Sequence, residues 1–119
     1  MKRDWDCIRA VLAALDDKGD AASKIRPKDI REFDPELVSY QIHLLLDAKL
    51  VNGSCDKLRL DCFAQSMTWE GHELLDKMLS DGLWNKIKST AREQGIKLSF
   101  EAVKALGKHA LDNLLTQVS

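Results

Sequence analysis

A chain of 119 residues is one domain with a core of moderate size, which needs neither disulfides nor a metal to close. Its 45% hydrophobic and 31% charged residues are those of a globular protein, and a net charge of −1 removes bulk attraction to nucleic acid or anionic lipid as an argument. The charge is uneven: residues 1–81 hold 12 Lys/Arg against 16 Asp/Glu, and residues 82–119 hold 6 against 3.

The first element is an amphipathic helix over residues 3–17. Trp5, Ile8, Leu12 and Leu15 share a face with Val11 beside them, and Asp4 and Asp6 sit where a helix start favours negative charge. Lys18-Gly19-Asp20 reads as its stop. Residues 24–31 alternate weakly, and Pro27 confines them to a short edge strand. Asp34 then caps a helix whose first residue is Pro35.

That helix, Pro35 to about Lys49, is apolar over most of its circumference. Leu37, Val38, Tyr40, Ile42, Leu44, Leu45, Leu46 and Ala48 read as its buried side, which sandwiches it between other elements. The remaining stripe of Glu36, Ser39, His43 and Asp47 is the part expected to face solvent or a partner. Leu50-Val51 starts a strand with a turn at Asn52-Gly53-Ser54, and Lys57–Phe63 alternates as a second strand. Thr68 caps a helix from Trp69 to about Leu79, with Gly71, Leu74, Leu75 and Met78 inward.

Ser80-Asp81-Gly82 reads as a turn and cap, after which residues 83–94 form a helix with Trp84, Ile87 and Ala91 inward and Gly95 at its end. Ser99 caps the last helix, running to about Gln117. The expected fold is mainly α with a small antiparallel β wing. A winged-helix core over residues 1–81 is followed by a two-helix C-terminal extension over 82–119, within one structural unit.

Three cysteines without a C-x-x-C pair favour reduced thiols and a cytoplasmic setting. Cys55 and Cys62 can face each other across the hairpin, but a reducing compartment argues against a structural disulfide. Two cysteines without His at metal-ligand spacing give no tetrahedral site, so no metal or cofactor is expected. No apolar run approaches the ~18 residues of a membrane span, and no signal peptide follows Met1-Lys2-Arg3.

With this order in place, three stretches carry a resemblance. The opening Met1-Lys2-Arg3-Asp4-Trp5-Asp6, the run from Val38 to Val51 and Thr68-Trp69-Glu70-Gly71-His72-Glu73-Leu74-Leu75-Asp76 are similar to the family catalogued as domain of unknown function 2513. Leu83–Lys88 and Ser99-Phe100-Glu101 resemble its C-terminal part. The resemblance implies a small winged-helix protein of bacterial, phage or prophage setting with no assigned activity. Members often carry His directly after the Tyr matching Tyr40, where this chain has Gln41 and then His43 two residues on.

No nucleophile–base pair, phosphate loop or metal cluster stands out, so a non-enzymatic binding protein is expected. The zinc-protease pattern needs a second His four residues after His72, where Asp76 stands, so His72 reads as structural. Trp5, Trp69 and Trp84 read as core. The leading reading is protein–protein interaction through Glu36, Ser39, His43 and Asp47, because two carboxylates on that stripe repel a polyanion. The alternative is a DNA-binding regulator using Lys24, Arg26, Lys28, Arg31, Lys57 and Arg59. Phe100, Val103, Gly107, Leu111, Leu114 and Val118 form a long apolar stripe on the last helix, a candidate homodimer seam or an intrachain contact.

Overall fold

The computed structural model describes residues 2–56 and 61–118, with side chains as far as residue 112. Its elements run α1 (Trp5–Asp17), a 3₁₀ turn (Pro27–Asp29), α2 (Pro35–Asp47), β1 (Val51–Cys55), β2 (Cys62–Met67), α3 (Trp69–Leu79), α4 (Asp81–Glu93) and α5 (Phe100–Val118). The fold is mainly helical with one small antiparallel hairpin, as the sequence patterns require. It divides into two compact units, Met1–Leu75 and Asp76–Ser119, with the boundary inside α3. Among the described residues no helix is long and apolar enough to cross a membrane.

In the first unit α1 starts where the Asp4 carboxylate accepts the Cys7 N–H at 3.0 Å, filling one of the orphan donors of the first turn. It buries Ile8, Val11, Leu12 and Leu15 together with Cys7. α2 starts as expected, with Asp34 Oδ1 accepting the Glu36 N–H at 2.9 Å and Pro35 in the first turn. It packs on α1, both strands and the 3₁₀ turn, so it is the centre of this unit. Val38, Ile42 and Leu45 are fully buried. Each such side chain contributes roughly 1.5–3 kcal/mol of burial energy.

The C-terminus of α2 closes in a paired-hydrogen-bond cap. The Leu50 N–H donates to Leu45 O at 2.9 Å and the Lys49 N–H to Leu46 O at 3.1 Å. This geometry places Lys49 in the left-handed region with φ 61°, where glycine is the usual residue. α3 is anchored on the same corner. Thr68 donates its N–H to Leu50 O and its hydroxyl to Lys49 O, while Thr68 Oγ1 accepts the Gly71 N–H. A Cβ at Gly71 would collide with Leu50 O, so this glycine lets α3 lie directly against the chain leaving α2.

Two expectations about strands are corrected. Residues 24–31 do not form an edge strand; only Ile25 pairs, exchanging hydrogen bonds with Ala64 at 2.7 and 3.0 Å. Pro27 then starts the 3₁₀ turn, which Asp29 stabilises by accepting the Arg26 N–H at 2.8 Å. The hairpin also turns later than expected. Asn52-Gly53-Ser54 belongs to β1, and the register shifts between Asn52 and Gly53. Gly53 serves a bulge: a Cβ there would strike Phe63 O on the facing strand. β2 is Cys62–Met67, and the expected start of that strand at Lys57 lies outside the described residues.

In the second unit Ser80 Oγ caps α4 and Trp84, Ile87 and Ala91 are buried, as expected. α4 ends in the same paired cap as α2, with Gly95 at φ 67° and the Ile96 N–H on Ala91 O at 2.8 Å. α5 packs on α4 and buries Val103, Gly107 and Ala110. Not all aromatic residues follow expectation. Trp84 is buried, but Trp69 is 75% exposed and is not part of the core. His72, read as a structural histidine, is also exposed.

Two substitutions test the corner that joins α2 to α3. Gly71→Ala is expected to lower stability in urea unfolding by about 1–3 kcal/mol, the cost of forcing backbone apart. Lys49→Gly is expected to raise it by about 1 kcal/mol by relieving a left-handed residue that carries a Cβ.

Candidate functional site on the second helix and its hairpin

The polar stripe of α2 does not face open solvent along its length. Ser39 is 7% exposed, and its Oγ accepts the Cys62 N–H at 2.9 Å. It is therefore a structural link between α2 and β2, buried where a solvent-facing stripe was expected. One turn on, half-buried His43 presents Nδ1 to Cys55 Sγ at 4.0 Å. Its Nε2 lies 3.3 Å from the Asp47 carboxylate, one further turn along. Ser39, His43 and Asp47 thus form a seam along the hairpin; Glu36 and Asp47 remain exposed at its ends.

The hairpin side of this seam holds Cys55 and Cys62, directly opposed in register with Cα atoms 4.0 Å apart. The Cys62 N–H goes to Ser39, and the Asp56 N–H to Asp61 O, so the two cysteines occupy a non-hydrogen-bonded pair, where facing side chains are closest. They are joined as a disulfide, which corrects the expectation of reduced thiols. His43 Nδ1 and the two sulfurs all lie within 4.8 Å of one another. The sequence hid this cluster because His43 precedes Cys55 by 12 residues, a spacing outside the local ligand patterns. Cross-strand register pairs the two cysteines, and the helical period that places His43 one turn after Ser39 brings the imidazole to them.

The third cysteine differs in kind. Cys7 is fully buried in α1, and burial, with the Asp4 charge second, pushes its thiol up to about 12. The unfolded chain ionises this thiol near 9.0 and the native protein does not, so Cys7 lowers stability progressively from pH 9.0 to about 12 and has no effect below.

Beside the seam opens a cleft of about 650 Å³. Pro27, Pro35, Tyr40 and Phe63 supply apolar lining, and its charges balance: Arg26 and Lys28 on the 3₁₀ side, Glu36 on α2 and Asp61 on the hairpin. Two further basic candidates, Lys24 and Arg31, are exposed, and Lys24 Nζ stands 4.4 Å over the Phe63 ring. Lys57 and Arg59 lie outside the described residues. The open face of α2 differs from the expected one. Leu37, Tyr40 and Leu44 are half-buried rather than core and run between exposed Glu36 and Asp47. No Lys or Arg occurs in α2.

The apolar stripe of α5 meets its own chain for part of its length. Val103 is buried, and a Cβ at Gly107 would approach the Lys77 methylenes at 2.7 Å and Ile87 Cδ1 at 3.4 Å. Those two residues are therefore occupied within the chain and are not open to a dimer seam. Phe100 is half-buried and Leu111 is 49% exposed; the side chains of Leu114 and Val118 lie outside the described residues.

These features define a mainly helical protein whose first unit is built around one central helix, with a disulfide-bearing hairpin on one side of that helix and a mixed cleft beside it. Residues 2–97 match the family model described as "Hypothetical protein (DUF2513)", and the chain belongs to this family. An "Uncharacterized protein" of Haemophilus influenzae (strain Rd) is 36% identical over 119 residues, covering 97% of this chain and 99% of that protein. No solved structure matches the chain.

Thiol titration tests the pairing. The native oxidised protein is expected to expose no reactive thiol, to yield one on unfolding in denaturant and three after reduction, matching its three cysteines. Two fast-reacting thiols in protein purified and kept under air would contradict the Cys55–Cys62 bond.

Proposed function

We propose that this is a non-enzymatic binding protein that docks a protein partner along the open face of α2 and the adjoining cleft. The observation that carries this reading is the makeup of that face. Leu37, Tyr40 and Leu44 stand half-buried between two carboxylates, with no cation on the helix. An aromatic and aliphatic centre with charges at its rim is the composition of a protein interface. A polyanion gains its affinity from Lys and Arg that displace counterions, and α2 offers none. The cleft adds Tyr40 and Phe63 with balanced charge, which suits an extended peptide segment better than a phosphate backbone. Trp69 starts α3 beside the α2 C-terminus, to which Thr68 is bound, and supplies a further exposed anchor.

Supporting the winged-helix part of this reading is the element order: α1, the Ile25 bridge, the 3₁₀ turn, α2 as the helix in recognition position, then the hairpin. That order keeps DNA binding as the second reading, and the exposed Lys24, Arg26, Lys28 and Arg31 favour it. The phage or prophage setting follows from the family resemblance, and it would direct the protein to a host or defence factor in the cytoplasm.

The test pairs two measurements. Affinity capture from host lysate is expected to retain a defined partner on the wild type and lose it at least tenfold with Tyr40→Asp or Leu44→Asp. Duplex DNA is expected to show no shift at physiological salt. A salt-sensitive DNA shift abolished by Arg26→Ala with Lys28→Ala, without any partner lost in the Tyr40→Asp variant, would replace this reading by the regulator.

A further inference from the structure

We infer that Cys55, Cys62 and His43 form a binding site for a thiophilic divalent metal ion of the zinc class, which becomes available when the disulfide is reduced. The inference does not depend on the protein-docking reading, which is carried by Leu37, Tyr40 and Leu44; the two share only His43 and Cys62, which also line the cleft. Two cysteines and one histidine are the donor set that zinc selects, and here they come from three separate elements onto one spot. The spacing is close to what a tetrahedral ion needs. With Zn–S bonds of about 2.3 Å and Zn–N of about 2.0–2.1 Å, two ligands on one ion stand roughly 3.5–3.8 Å apart. His43 Nδ1 is already 4.0 Å from Cys55 Sγ, and all three ligand atoms lie within 4.8 Å of one another. Opening the disulfide lets the sulfurs separate by side-chain rotation, without moving the paired strands.

A second observation points to a metal rather than to a disulfide alone. Asp47 holds the far nitrogen of His43 at 3.3 Å. A proton on Nε2 shared with that carboxylate leaves the Nδ1 lone pair directed at the sulfurs. This carboxylate–histidine pairing is how metal-bound imidazoles are oriented and made more basic. Ser39 fixes the other side, because its hydrogen bond to the Cys62 N–H sets where the hairpin lies on α2. The three protein ligands leave a fourth position for water.

The chemistry balances through a dithiol reductant. Its thiolate attacks one sulfur of the Cys55–Cys62 bond, and its second thiol displaces the mixed disulfide. The reductant leaves as its own disulfide, having passed two electrons, and Cys55 and Cys62 each take up a proton. The incoming ion then displaces both thiol protons to solvent as it binds the two thiolates and neutral His43. Cys7 takes no part, since it is buried in α1 and its thiol is held protonated.

The experiment titrates reduced, reductant-free protein with cobalt(II) alone and then with zinc(II). The expected result is one equivalent of cobalt with thiolate-to-metal charge transfer and tetrahedral d–d bands, bleached by zinc, and no such bands from the oxidised protein. Cys55→Ser is expected to abolish the bands. His43→Ala and Asp47→Asn are expected to weaken metal affinity about 10- to 100-fold while the far-ultraviolet circular dichroism stays native. Absence of the charge-transfer band in reduced wild type, or bands of full strength in Cys55→Ser, would overturn the inference. Unchanged affinity in His43→Ala would overturn the assignment of the imidazole as a ligand.

Discussion

The first unit depends on polar side chains of α2 that point inward. Gln41 is fully buried, and it accepts the Asp4 N–H at 2.9 Å while donating to Lys2 O at 2.9 Å. Ser39 holds the Cys62 N–H of the hairpin. The carbonyls of Lys49 and Leu50 hold Thr68, and with it α3. The helix and the residues that follow its C-cap therefore tie the N-terminal arm, the hairpin and the start of the third helix. The energetic weight of these ties lies in their loss. A buried amide that keeps its partners adds about 1 kcal/mol, but removing it strands two backbone groups that cost more to leave unpaired. Gln41 is thus a bracket for the N-terminus in this chain, with no surface to offer a ligand.

What was legible in the sequence was what is decided locally. The caps at Asp34, Thr68 and Ser80, the glycine ending α4 and the inner stripe of α3 each need only a few neighbouring residues. What failed was decided across the chain. Ser39 looks like a surface residue when its partner, 23 residues away, is out of sight, and nothing near Gln41 announces its partners 37 and 39 residues away. Gly53 looks like a turn because glycine serves turns and bulges alike, and only the Phe63 carbonyl on the facing strand distinguishes them. A helix apolar on most sides gives no unique inner direction, so Leu37, Tyr40 and Leu44 read as inward though they are only half-buried.

The stripe Glu36, Ser39, His43 and Asp47 shows how a correct spacing can point the wrong way. Its members do lie on one line, three and four residues apart, but the hairpin covers that line's middle. Once Ser39 has fixed the β2 backbone, the next turn of the helix must bring position 43 level with the cysteine pair, since one helical turn advances about 5.4 Å, comparable to the separation of neighbouring strands. Position 47 is then one more turn away, which is the reach of a carboxylate to the far nitrogen of an imidazole. The periodicity that suggested an outward acidic ribbon is therefore the same periodicity that assembles Asp47, His43 and the two sulfurs. Helix period and strand register together, rather than any contiguous motif, place this chemistry. The half-buried face of α2 is the neighbouring one, displaced around the helix, where Leu37, Tyr40 and Leu44 stand between exposed Glu36 and Asp47.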